Sequence, residues 1–484
     1  MKFTAPGRFR TAEQFRDHLA GVSPEIEMVD ACTGRSGPLG RSAEVFGRTV
    51  GNRFAIHPME GWDATPQGLP GEHTLRRWYR FGRSGAKLIW GGEAFAVQAD
   101  GRANPNQLFA NPGEDVVAGL SALRDEVLRG HRDVGEDTDH LVLGLQLTHS
   151  GRFSRPEGTK FQPRLVEPHP VLARKFGLPA EHALLSDMEL EGIAENYVAA
   201  ARMAHEVGYD FVDLKACHGY LMHELLGARQ RPGRYGGSFE NRTRLFVAIV
   251  AGIRGVAPGL GIGARLSLAD VAPHQADPDS GVGVAMEGDR PWAHGFGIDA
   301  DDPSHFDLDE PLRFLGLLQE LGIGAVNVSL GSPYYCPHLQ RPAAYPPSDG
   351  YQPPEDPLRS VARHLEVVRA AKAAFPGTSF VGSGYSYLQQ FLPLVAEKEV
   401  GDGRVDFVGL GRMVLSYPEL PLDVLAGRPL ERKLICRTFS DCTTGPRNHL
   451  LSGCYPLDDY YKALPDAEAM KAIKAGVRGG SSGT

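Results

Sequence analysis

Short, continuously apolar runs recur along the chain, and between them apolar residues return every three or four positions. The runs are RFAIHPM (53–59), AKLIWGG (86–92), LVLGLQL (141–147), DFVDLK (210–215), IGARLSL (262–268), GAVNVSL (324–330), SFVGSG (379–384) and VDFVGLG (405–411). Unbroken apolarity marks strands covered on both faces, as in a parallel sheet. The intervening stretch MELEGIAENYVAAARMAHEVG (188–208) has helical spacing and stops at a glycine, and PLRSVARHLEVVRAAKAAF (357–375) has the same spacing. Eight strand-then-helix units predict an α/β fold, a (β/α)8 TIM barrel with long strand-to-helix loops and a short C-terminal extension. A doubly wound open sheet is the alternative, but no GxGxxG follows the first strand.

The expected division is a barrel over 1–430 and an extension over 431–484, which carries a degenerate cysteine motif and a flexible tail. The final GGSSGT reads as a linker and is set aside. Residues 153–185, 271–310 and 331–356 are long, polar and proline-rich. Loops after barrel strands line the catalytic face, so these three predict a lid over a sizeable pocket. Decoration or a subunit contact is the other reading.

Composition narrows the function classes. With 484 residues, 42% of them hydrophobic and 23% charged, the chain can bury a large core, which argues against wholesale disorder. The net charge of -8 comes with no basic stripe, so a nucleic-acid partner is not expected. No apolar run reaches the length of a membrane span, and the N-terminus lacks the apolar stretch of a signal peptide. Six cysteines in a chain this long are not a disulfide framework. The expectation is a soluble, cytoplasmic protein with no membrane partner.

The candidate chemistry sits at strand ends. VGSGYS (381–386) and VGLGRM (408–413) put Gly384 and Gly411 just past the seventh and eighth strands, where barrels commonly hold a phosphate on backbone N–H groups. Arg412 would add a charged contact. Gln146, in GLQLTHSGR (144–152), could pair with a planar heterocycle. Arg265 lies inside a strand, where a guanidinium needs an anionic partner, and a ligand could be that partner. HPMEG (57–61) could set backbone against a ring. KACHGY (215–220) brings Lys215, His218 and Tyr220 together at the end of the fourth strand.

Taken together, NRFAIHPM, GGEAFAVQADGR, QLTHSGR, DLKACHGYLMHELL, RYGGSFENR, GARLS, VGSG and FVGLGR resemble the old yellow enzyme family of FMN-dependent reductases, in order and spacing from about residue 40 to 430. The C-terminal cysteines make the chain similar to its 2,4-dienoyl-CoA reductase and trimethylamine dehydrogenase branch. The resemblance implies FMN across the barrel mouth, NADH or NADPH as electron donor, a small-molecule substrate with an activated alkene or carbonyl, and a homo-oligomer. It implies that Pro58, Met59 and Ala94 border the flavin with Glu60 beside them. Gln146 would meet the pyrimidine edge, Arg265 would sit near N1 and O2, and Gly384, Gly411 and Arg412 would hold the phosphate. In the catalytic role, Tyr220 protonates the substrate while a donor pair grips its activating oxygen, with His218 in the second position.

Lys215 departs from the family, which has histidine in the first position of that pair. An ammonium there would stabilise an enolate-like oxygen, select an anionic substrate or act as a Schiff-base nucleophile; alternatively it snorkels away and fills space. Glu60 is also unusual beside a flavin and could pair with Lys215. In the tail, cluster-bearing relatives have four cysteines; here Cys436, Cys442 and Cys454 remain and Phe439 stands at the second position. A lost iron–sulfur cluster and no metal is the expectation, with His449 as the one candidate for completing a zinc site. The chain ends 30 residues after Cys454, without the FAD/NAD domain of the larger relatives. Electrons are then expected directly from NAD(P)H or from a separate protein. The function expected is an ene-reductase, with a flavin-dependent desaturase or dehydrogenase running the reverse reaction, or a Lys215 Schiff-base lyase, as alternatives.

Overall fold

The computed structural model describes residues 3–158, 160–179 and 182–480. All eight expected strands form: β1 (Phe54–Ile56), β2 (Leu88–Ile89), β3 (Val142–Thr148), β4 (Phe211–Ala216), β5 (Gly261–Ala269), β6 (Ala325–Leu330), β7 (Ser379–Gly382) and β8 (Phe407–Leu410). Each pairs in parallel with the next in sequence, and β8 closes on β1 through Val408 opposite Phe54. This is the (β/α)8 barrel.

Each strand leads to a helix of the outer ring, with shorter helices in some of the loops: α1 (Glu72–Gly82), α2 (Val116–Asp133), α3 (Asp187–Val207), α4 (Phe239–Val256), α5 (Asp309–Glu320), α6 (Pro357–Ala374), α7 (Leu392–Gly401) and α8 (Arg412–Ser416). The sequence sets their ends. Ser186 and Glu189 make a capping box at the start of α3, and Gly208 ends it in a left-handed conformation. The buried face of α3 is Leu190, Ile193, Tyr197, Ala200, Ala201 and Ala204, one stripe at helical spacing. Its large members contribute about 1.5–3 kcal/mol each by leaving water. Asp115, Ser238 and Asp356 cap α2, α4 and α6 through side-chain oxygens.

An N-terminal hairpin, Ala43–Val45 with Arg48–Val50, plugs the bottom of the barrel. Its turn residue Phe46 stacks on Phe211 at 4.5 Å. The bottom is closed, so chemistry is confined to the strands' C-terminal ends. The extension folds as three helices, Asp441–Arg447, Asp459–Lys462 and Asp466–Gly480. The last runs through the glycines that open GGSSGT, so that part of the tail is helical; residues 481–484 lie outside the described residues. No described helix is long and apolar enough to cross a membrane.

Candidate active site

A cavity of about 250 Å³ lies over the C-terminal ends of the strands. Its floor is set by strand register. Gln146 on β3 stands opposite Asp213 on β4, and Lys215 on β4 stands opposite Arg265 on β5. Gln146 Nε2 donates to Asp213 Oδ2 at 2.6 Å. Burial raises the Asp213 carboxyl to about 6, against the Gln146 hydrogen bond and the charge of Arg265. Arg265 Nη1 donates to the Pro58 carbonyl at 3.1 Å, while its Nε is buried with no partner.

Lys215 and Arg265 are therefore two buried cations side by side. Burial pushes both below their usual pKa; the Glu60 charge opposes this most for Lys215, and Cys217 and Asp213 oppose it for Arg265. Lys215 Nζ sits 3.7 Å from the centre of the Tyr220 ring, a cation–π contact. Glu60 does not pair with Lys215. It accepts a hydrogen bond from the Tyr220 hydroxyl instead, and that hydroxyl lies 2.9 Å from the Tyr334 hydroxyl. Burial, then Glu60 and Tyr334, hold the Tyr220 pKa well above 10, so the phenol stays protonated.

The KACHGY turn is fixed from several sides. His218 and Gly219 are both left-handed, with φ of 67° and 78°. The His218 N–H donates to Ser267 Oγ at 3.1 Å, and its carbonyl accepts from Ser332 Oγ at 2.7 Å. The Gly219 N–H donates to His223 Nδ1 at 2.9 Å. His218 Nε2 meets Ser329 Oγ at 2.8 Å and Gln340 Nε2 at 3.2 Å. Burial and the nearby cations, Arg265 before Lys215, keep this ring neutral. Since its Nε2 is already engaged, Lys215 is the donor of this turn that faces the cavity without a hydrogen bond among the described residues.

The structure gathers Pro58, Met59, Glu60, Gln146, Lys215, His218, Tyr220, Arg265, Gly384, Gly411 and Arg412 around this cavity. Ala94 is not in its wall: it is 1% exposed, paired with Gln146, and its carbonyl accepts from Gln107. Of the three long loops, 271–310 contributes nothing to the wall, whereas 153–185 gives Arg155 and 331–356 gives Tyr334 and Arg341. A further wall comes from the extension, through Thr443, Arg447 and Ser452. Trp62 ties the two parts together, its N–H donating to Ser452 Oγ at 3.0 Å. Sequence reasoning missed these residues. Tyr334 could have been found from its place four residues past β6, but nothing local marks Thr443 or Arg447.

His57 was also passed over. It is held between Asn327 (3.0 Å) and Ser383 (3.1 Å), and a Cβ on Gly409 would come within 2.1 Å of its ring. Next to it, a Cβ on Gly411 would meet nothing closer than 4.0 Å, so open space lies beside that backbone. Arg412 borders this space with a buried Nη1 that has no partner, while Nη2 donates to the Pro342 carbonyl at 2.7 Å. A compact anion at Gly411 and Arg412, and a planar acceptor over Arg265 and Gln146, fit these unsatisfied groups. FMN has both parts. Cys436, Cys442 and Cys454 are free thiols around a separate small cavity with Arg412 and Phe439. Among the described residues, no three His, Cys, Asp or Glu are arranged to hold a metal ion.

A parallel barrel with cations, an amide and a phenol converging on a cavity at the C-terminal ends of its strands fits a cofactor-dependent barrel oxidoreductase. The chain belongs to the NADH:flavin oxidoreductase / NADH oxidase family, which it matches over residues 44–286, and it is an FMN-dependent NAD(P)H oxidoreductase. It is 30% identical over 264 residues to an NADPH dehydrogenase of Bacillus velezensis, covering 53% of this chain and 70% of that one. It is 26% identical over 386 residues to an NADPH dehydrogenase of Geobacillus sp., covering 78% and 90%. Among solved structures it is similar in fold to 2-naphthoyl-CoA reductase in complex with 2-naphthoyl-CoA. That likeness has a TM-score of 0.63 at 17% identity, spanning 90% of this chain and 58% of that one.

Proposed function

We propose that this enzyme reduces an electron-poor carbon–carbon double bond with electrons from NADH or NADPH. FMN, when bound, would supply the chemistry of hydride transfer between the nicotinamide and the β-carbon of the alkene. Gln146 and Arg265 would meet its polar edge, Pro58 and Met59 would lie beside the ring, and Gly384, Gly411 and Arg412 would hold its phosphate. Lys215 donates to the oxygen of the activating group, where negative charge develops, in a site with little water to screen it. Tyr220 gives its proton to the α-carbon, completing addition of one hydride and one proton across the double bond. The tyrosinate left behind is stabilised by the Lys215 ammonium, and its proton returns through Tyr334 or Glu60.

The observation that carries this reading is the environment of the Tyr220 hydroxyl. It is protonated, aligned by Glu60 and Tyr334, and set beneath an ammonium. The test is Tyr220→Phe, followed by anaerobic stopped-flow. Flavin reduction by NADPH or NADH is expected to stay within about twofold, while reoxidation by an enone slows about a hundredfold or more. Reoxidation at the wild-type rate would show that Tyr220 is not the proton donor. A second reading, dehydrogenation of a saturated ketone, is favoured by the carboxylate on the Tyr220 hydroxyl, which could draw off its proton. Bleaching of oxidised flavin by the saturated ketone would select it.

A further inference from the structure

The cavity wall carries more positive charge than FMN would use. Arg341 and Arg412 belong to the end near Gly384 and Gly411. Each has a buried nitrogen without a partner, and Arg341 also donates to Thr443. Arg155 and Arg447 lie at the other end. Their guanidinium carbons sit 5.9 and 5.6 Å from the centre of the Tyr334 ring, whose hydroxyl is 2.9 Å from that of Tyr220. Arg155 is braced by Trp62 at 5.2 Å and Phe161 at 4.7 Å. It makes no ion pair among the described residues, and its Nε is buried with no partner. Arg447 bonds to Asp349, whose side chain is 50% exposed, and to the Pro333 carbonyl. Burial, with Arg341 and Arg155 nearby, brings the Arg447 pKa down to about 10. Among the described residues of the wall, Glu60 is the one carboxylate, and it is engaged by Tyr220.

We propose that Arg155 and Arg447 form an anion subsite that selects alkenes carrying a carboxylate beyond the reacting double bond. Two guanidiniums held by aromatic faces and backbone offer preset N–H edges to one planar anion, at little ordering cost. Tyr334 links these guanidiniums to the proton donor, its hydroxyl lying 2.9 Å from that of Tyr220. The identity of the reacting group rests on the ene-reductase reading, but the subsite does not. The phosphates of NAD(P)H are the other anions that could reach it, so the test separates the two.

The probes are 4-(3-oxobut-1-enyl)benzoate and its methyl ester as substrates, with 4-methylbenzoate and 4-methylbenzamide as non-reacting ligands. The protein is the FMN-loaded enzyme, in the wild-type, Arg155→Gln and Arg447→Gln forms. Arg155→Gln leaves no described ion-pair partner behind, so it keeps the test open if Arg447→Gln does not fold. Binding is read from the change in flavin absorption. Wild type is expected to bind the benzoate and discriminate against the benzamide, and each variant is expected to weaken the benzoate about tenfold or more. The acid is expected to lose its kcat/KM advantage over the ester in the variants, with flavin reduction by NADPH unchanged within about twofold. Equal binding of benzoate and benzamide to wild type would overturn the proposal. So would slower flavin reduction by NADPH with the benzoate affinity intact, which would assign the arginines to the nucleotide. If neither enone is reduced yet benzoate binding behaves as expected, the ene-reductase reading fails and the subsite stands.

Discussion

Lys215 and Arg265 stand side by side on adjacent barrel strands, with no carboxylate among the described residues bonded to either. A pair of like charges buried in this way is costly unless the site regularly receives negative charge. On the function proposed above, that charge would come from the reduced flavin and from the oxygen of the substrate's activating group. Near-isosteric Lys215→Met should therefore lower the FMN midpoint potential by some tens of millivolts and slow reoxidation by an enone about a hundredfold. Potentiometric titration and stopped-flow read the two effects separately. The pH profile gives an independent check. In the proposed mechanism Lys215 works as the ammonium, and burial depresses its pKa from 10.5, so activity should fall as pH rises through a value below 10.5. Lys215→Met should lack that limb. A wild-type potential in the variant would mean that the lysine does not act on the flavin. Neither Lys215 nor Glu60 was assignable from the sequence beyond a choice of roles. Whether they meet each other or a shared tyrosine depends on side-chain directions that no sequence pattern encodes.

The element that matters most is the turn from β4 into the helix Leu221–Gly227. It brings Lys215, His218 and Tyr220 to the cavity from six residues because its backbone goes left-handed twice and is then tied by three hydrogen bonds. His223 makes one of those ties with an unprotonated Nδ1, and burial lowers its pKa to about 4. An unfolded histidine titrates near 6.5. Between those values the unfolded chain binds the proton and the folded chain does not, so stability falls as pH drops from about 6.5 to 4. The difference amounts to roughly 3 kcal/mol at the acid end. His223→Gln should flatten that part of the stability–pH curve in urea melts; an unchanged slope would mean that His223 is not held neutral. This element was legible in the sequence, as were the eight strands, because buried parallel strands write long apolar runs and place their chemistry at the run's end. The backbone strain of His218 was not legible, since only its neighbour is a glycine.

At the scale of the molecule, the barrel supplies the floor of the cavity and the later segments supply its roof. The floor residues could be read from strand ends, apart from Ala94, which is buried beside Gln146 and does not line the cavity. The roof could not. Arg341 sits in an irregular loop, and Arg447 lies between Cys442 and Cys454, among the cysteines that dominate any reading of the tail. The proximity of Arg447 to Tyr334 is produced by packing across about a hundred residues of chain, without a periodic signal. The extension is thus part of the site: Thr443 meets Arg341, and Ser452 holds the Trp62 backbone. The measurement that tests the central claim most directly is an anaerobic absorption titration of the FMN-loaded protein. NADPH or NADH should bleach the flavin bands, and one equivalent of 4-(3-oxobut-1-enyl)benzoate should then restore them while the alkene is consumed. Flavin that bleaches but is restored by oxygen alone, and by no enone, would contradict the assignment of Lys215 and Tyr220 to alkene reduction.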